Sequence, residues 1–118
     1  MYTDPLKFHK MSFAQVYDCY LAKAEKKGRS QEEVNQIIFR LTGYDEIWLQ
    51  NQIHQWSDFK TFFEQAPCFN LSADKITGSI CGHRISEITY PIVKKVRYLD
   101  KLIDELAQGK TMDKILRK

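Results

Sequence analysis

The chain has 118 residues, with 43% hydrophobic and 28% charged side chains, values that suit one globular domain and exclude a disordered body. Three cysteines, Cys19, Cys68 and Cys81, with no C-x-x-C pair, argue against a disulfide framework or a thiolate-rich zinc site. The net charge of +3 names no partner by itself, but residues 1–90 hold ten Lys/Arg against eleven Asp/Glu, while residues 91–118 hold eight against four.

The first residues, 1–11, lack periodicity and read as an N-terminal arm. They show no apolar core or small-residue cleavage site of a secretory signal, and no apolar run approaches the ~18 residues that span a bilayer. A cytoplasmic address and no membrane association are therefore expected. Ser12 looks like a helix cap. Phe13, Val16, Tyr17, Tyr20, Leu21 and Ala24 then recur at spacings of three and four, which puts them on one helical face. Gly28 suits a left-handed helix end. Ser30 and Glu33 have the spacing of a capping box, and Val34, Ile37, Ile38 and Leu41 follow as a buried stripe that Gly43 ends. The short connection predicts that these two helices form an antiparallel hairpin.

Asp45 is a cap for a third helix with Trp48, Leu49 and Ile53 facing inward. Asp58 restarts the pattern, with Phe59, Phe62, Phe63 and Ala66 on one face and Pro67 as the stop. Helical periodicity is then lost over 68–90. Residues 76–88 are open to two readings: a short β-hairpin turning at Gly78-Ser79 and running on as a strand from Cys81 to Ile88, or an irregular loop. Pro91 suits the first turn of a helix. Ile92, Val96, Leu99, Ile103 and Leu106 form its stripe, widened by Val93 and Leu102. Gly109 closes it, and Thr111 caps a last short helix. The sum is a mainly α chain over 1–118, one compact helical domain of five to six helices.

At this point a family resemblance is specific. Met11–Tyr17, Ala22–Arg29, Leu41–Tyr44, Asp58–Phe63, Ile76–Gly78, Cys81-Gly82 and Arg97–Leu106 resemble the bacterial family filed as domain of unknown function 2200. The resemblance runs from about Met11 to Lys118. It implies a small, stand-alone, largely helical bacterial protein and implies no activity.

Few residues form a reactive constellation. Cys81, His83 and Arg84 have the composition of a thiolate nucleophile with a base and a pKa-lowering cation, yet in extended backbone Arg84 points away from the other two. A buried small thiol beside a turn, with His83 and Arg84 exposed, is the commoner state of such a cysteine. The histidines His9, His54 and His83 are too scattered for a metal site, and no cofactor is expected. Gln108-Gly109-Lys110-Thr111 lacks the glycine and strand of a phosphate loop. Lys94, Arg97 and Lys101 share a face of the long helix and offer a nucleic-acid contact. Interleaved acids, among them an i,i+4 pair of Lys101 with Glu105, instead favour a solvated, ion-paired face. Trp56 fits neither neighbouring stripe, which places it at the surface. An aromatic patch near Trp48 and Trp56 suits a protein partner or self-association. The leading expectation is thus a non-catalytic interaction protein. Nucleic-acid association and a ligand-binding or thiol-dependent enzyme centred on Cys81 are the alternatives.

Overall fold

Helix α1 spans Phe13–Lys26, and its burial follows the sequence stripe, with Phe13, Tyr17, Tyr20 and Ala24 inside. The structure, a computed structural model, describes residues 10–70, 76, 78–80 and 83–116. Most of the N-terminal arm therefore lies outside the described residues. Its last part is tied down: the Phe59 amide donates to the Met11 carbonyl and the Phe13 amide to that of Ser57. Ser12 occupies the cap position without capping, because its hydroxyl makes no hydrogen bond to the helix.

Helix α2, Gln31–Thr42, opens on the expected capping box, with both reciprocal bonds between Ser30 and Glu33 formed. Arg29 donates to the same carboxylate from 2.7 Å. These donors, Arg29 first, hold the Glu33 carboxyl below its ordinary pKa. A lowered folded-state pKa adds stability above the unfolded value and loses it as pH falls through the folded one. Glu33→Gln should therefore cost stability at pH 7, with the deficit shrinking toward pH 3 in urea titrations. An equal deficit at both pH values would mean that the carboxylate charge is not what matters.

Helix α3 spans Glu46–His54 and α4 spans Phe59–Glu64, each capped by an aspartate: Asp45 accepts from the Trp48 amide and Asp58 from that of Thr61. Helix α5, Pro91–Ala107, starts on its proline and buries a continuous stripe from Val93 to Leu106. It is the centre of the fold, in contact with α1, α2, α4 and the short α6, Met112–Leu116. Six α-helices thus lie among the described residues, in agreement with the mainly helical reading. None is long and apolar enough to cross a membrane.

Phe13 stacks on Phe62 at 3.8 Å between ring centroids, and Phe62 touches Tyr44 at 4.9 Å and Phe63 at 5.2 Å. The Tyr44 hydroxyl donates to the Phe62 carbonyl at 2.6 Å, and burial pushes its phenol up to about 12.

The segment after α4 corrects the sequence reading in detail. A hairpin is present, but β1 (Ser79–Ile80) and β2 (His83–Arg84) pair Ser79 with Arg84 and Ile80 with His83. Ser79 is therefore a paired strand residue, and the reversal does not fall at Gly78-Ser79. Gly78, at φ +95°, instead accepts from the Ile85 amide at the hairpin's base. The expected strand to Ile88 gives way to a 3-10 turn over Ile85–Glu87, which touches α5 and buries Ile85, a side chain that gains more from the core than from a two-residue ladder.

Candidate functional site

Two surface regions stand out from a well-filled core. The first is built on α3, whose inward residues are Leu49 and the polar Gln52. With that face fixed, Ile47 and Trp48 are turned outward, 71% and 51% exposed. The inward placement expected for Trp48 is thereby corrected: a nine-residue helix has room for one narrow buried stripe, and Leu49 with Gln52 occupies it. Trp48 keeps one edge against Tyr44, 6.3 Å between centroids.

Trp56 follows the helix end, 61% exposed, and has a left-handed backbone at φ +55°. Its amide donates to the Ile53 carbonyl, and the Ser57 amide donates to that of Gln52. This paired closure of a helix C-terminus normally carries glycine at the left-handed position. The same closure recurs after α1, where the Gly28 and Arg29 amides donate to Glu25 and Ala24. It recurs after α5, where those of Gly109 and Lys110 donate to Leu106 and Glu105. Two of the three closures use glycine and the third uses the largest side chain available. A left-handed non-glycine residue costs about 1–2 kcal/mol, so the indole is held in water at a cost to the fold.

The second region surrounds Phe69. The strap Cys68–Asn70 crosses the end of α2, where the Cys68 amide donates to the Thr42 carbonyl and the Asn70 amide to that of Leu41. These bonds satisfy helix-end carbonyls that would otherwise lack partners. A surface groove of about 500 Å³ runs from Phe69 past Ile88, Pro91, Lys94, Lys95 and Tyr98. Another, of about 590 Å³, runs from Phe69 past Phe39, Arg40 and Cys68. Lys95 Nζ sits 4.8 Å from the centroid of the Phe69 ring, a cation–π contact. Sequence inspection missed Phe69 because it lies outside every periodic run. The one signal was an aromatic residue two positions beyond the helix-stopping Pro67.

The basic set on α5 does not act as one face. Arg97 is turned into the protein, its side chain 12% exposed, and pairs with Asp100 at 3.1 Å. Asp100 also accepts from the Tyr20 hydroxyl at 2.6 Å. Lys101 donates to the Ser79 carbonyl at 3.3 Å, latching the hairpin to α5. Glu105, expected to pair with Lys101, is buried and pairs with Lys110 at 3.4 Å. Lys94 lines the groove beside Phe69.

Of the thiol candidates, Cys81 and the side chain of His83 lie outside the described residues. Arg84 is exposed and pairs with Glu87 at 3.7 Å. Among the described residues no group of three His, Cys, Asp or Glu side chains is placed to hold a metal ion.

Comparison with known proteins adds kinship without chemistry. The crystal structure of uncharacterized protein SP1917 shares 40% sequence identity and a TM-score of 0.89, over 98% of this chain and 95% of that one. No curated protein matches the sequence. The model of an uncharacterized protein family conserved in bacteria, DUF2200, matches residues 7–117, and the chain belongs to that family.

Proposed function

We propose that the protein is a non-catalytic interaction protein of the bacterial cytoplasm that docks on another folded chain through Ile47, Trp48 and Trp56, a second copy of itself being the first case to test. The observation that carries this reading is Trp56. A position whose backbone favours glycine holds an exposed indole, and large aromatics of this kind anchor protein interfaces.

Trp56→Gly separates the two roles of the residue. Glycine relieves the left-handed strain, so the variant should be more stable by about 0.5–1 kcal/mol in urea denaturation, after allowing for its looser unfolded state. The same variant should lose association, read as a shift to monomer in sedimentation velocity or as loss of adduct when Ile47 is replaced by a photo-crosslinking residue in the host. A stabilised variant that associates like the parent overturns the docking role. A parent chain that stays monomeric and yields no adduct removes the reading altogether.

A further inference from the structure

The paired grooves beside Phe69 have a chemistry distinct from the α3 face. Their walls are apolar, from Phe39, Phe69, Ile88 and Pro91, and each carries cations without an acid: Arg40 in one, Lys94 and Lys95 in the other. Lys23, Arg29, Arg84, Arg97 and Lys110 each have a carboxylate within 4 Å. Arg40, Lys94 and Lys95 have no carboxylate partner among the described residues, a state they share with several surface lysines, but they alone combine it with the apolar walls beside Phe69. Two apolar grooves meeting at one aromatic residue, each rimmed by unmatched positive charge, make a surface complementary to alternating apolar and acidic groups.

We infer that the Phe69 grooves bind an extended acidic segment of a partner protein, with apolar side chains along the Phe39 wall of one groove and the Ile88–Pro91 wall of the other and carboxylates against Arg40, Lys94 and Lys95. The shape favours a peptide over a small molecule, since small-molecule sites enclose most of their ligand and these are two shallow surface grooves side by side. The aromatic geometry disfavours single-stranded nucleic acid, which needs free ring faces for base stacking. One face of Phe69 is covered by Lys95, Phe63 abuts the ring at 6.2 Å, and Tyr98 is buried. This surface goes beyond the interaction reading built on α3 and shares no residue with it.

The strap supplies its own reporter. Cys68 lines one groove and is exposed, and Cys19 on α1 is exposed as well. The experiment begins with a display library of peptides of about twelve residues, selected on the full chain. A selected peptide is then added during iodoacetamide labelling, and each cysteine is read by peptide mass mapping. Selection should enrich Asp and Glu interleaved with Leu, Phe or Trp. A bound peptide should slow labelling of Cys68 about tenfold or more and leave Cys19 unchanged, because occupancy above ninety per cent leaves about a tenth of the thiol open.

Binding should weaken with salt and fall about tenfold or more in Lys94→Glu/Lys95→Glu. The neutral Lys94→Gln/Lys95→Gln guards against misfolding and should show a smaller loss, with unfolding midpoints checked for both. Trp56→Gly should bind the peptide as the parent does, so failure of the α3 reading leaves this result standing. Four outcomes overturn the proposal: enrichment without acidic bias, unprotected Cys68, affinity indifferent to both lysine variants, or full displacement of the peptide by a mixed-sequence single-stranded oligonucleotide.

Discussion

Gly43→Ala is expected to destabilise the protein by about 3 kcal/mol or more, against about 1 kcal/mol for Gly28→Ala. Both glycines close helices in left-handed conformations, φ +81° and +73°, so the conformational cost of alanine is similar at the two sites. Their surroundings differ. A Cβ at Gly28 meets nothing within 4 Å, whereas one at Gly43 lies 2.7 Å from the Cys68 backbone nitrogen and 3.0 Å from its carbonyl oxygen. That nitrogen is the donor to the Thr42 carbonyl, so the strap cannot retreat without losing a hydrogen bond, worth about 1 kcal/mol. Retreat would also pull Phe69 from its contacts with Phe63 and Tyr98, at 6.2 and 6.4 Å. Urea midpoints of the two alanine variants measure the contrast, and equal losses would show that the close approach of the strap is unimportant. Faster alkylation of Cys68 in Gly43→Ala would show that the strap has lifted.

The contrast between Gly28 and Gly43 marks how far sequence reasoning reaches. A glycine after a helical stripe announces a helix end in both cases, and the capping box at Ser30 and Glu33 announces a start. Such signals are local, so they are legible. What lies against Gly43 depends on a strap arriving from 25 residues later, which no local pattern encodes. Trp48 was misplaced for a related reason. Its helix buries Gln52, a residue that reads as polar, and the large apolar neighbour looked like the better core candidate. Trp56 was legible as a surface residue because it broke the periodicity on both sides. That it occupies a glycine's conformation was not legible, because backbone angles at a helix end leave no trace in residue spacing.

On α5 the charge pattern was read as a solvated face, which is true for only part of it. Lys94, Arg97 and Lys101 share helical spacing but meet different surroundings: a groove, a part-buried acid and a strand carbonyl. Spacing along one helix cannot report what other helices bring to it. The Tyr20 hydroxyl on α1 converts Asp100 from a surface acid into the centre of a part-buried polar cluster.

That cluster gives the other large effect. Asp100→Ala should cost about 2 kcal/mol, because it removes the carboxylate that accepts from the Tyr20 hydroxyl and pairs with Arg97 in a part-buried site. Replacing the cluster jointly, as Tyr20→Phe/Arg97→Met/Asp100→Leu, should cost less, since the donors are removed together with their acceptor.

The pH dependence has a definite sign. Desolvation raises the Asp100 carboxyl above its ordinary value, against the opposing pull of Tyr20, Arg97 and Lys23, and it raises the Tyr20 phenol well above its own. The folded chain therefore binds a proton at Asp100 more readily than the unfolded chain does. In the window between the two carboxyl pKa values, this residue's contribution to stability grows as pH falls and shrinks as pH rises. Asp100→Asn cannot titrate, so the stability of the parent relative to Asp100→Asn should improve from pH 7 toward pH 4 in matched urea titrations. This trend runs opposite to that expected for the parent relative to Glu33→Gln, whose carboxyl is shifted downward. Two carboxylates in one chain thus serve as mutual controls. If both comparisons drifted the same way with pH, the cause would be the net charge of the molecule and not the local setting of either acid.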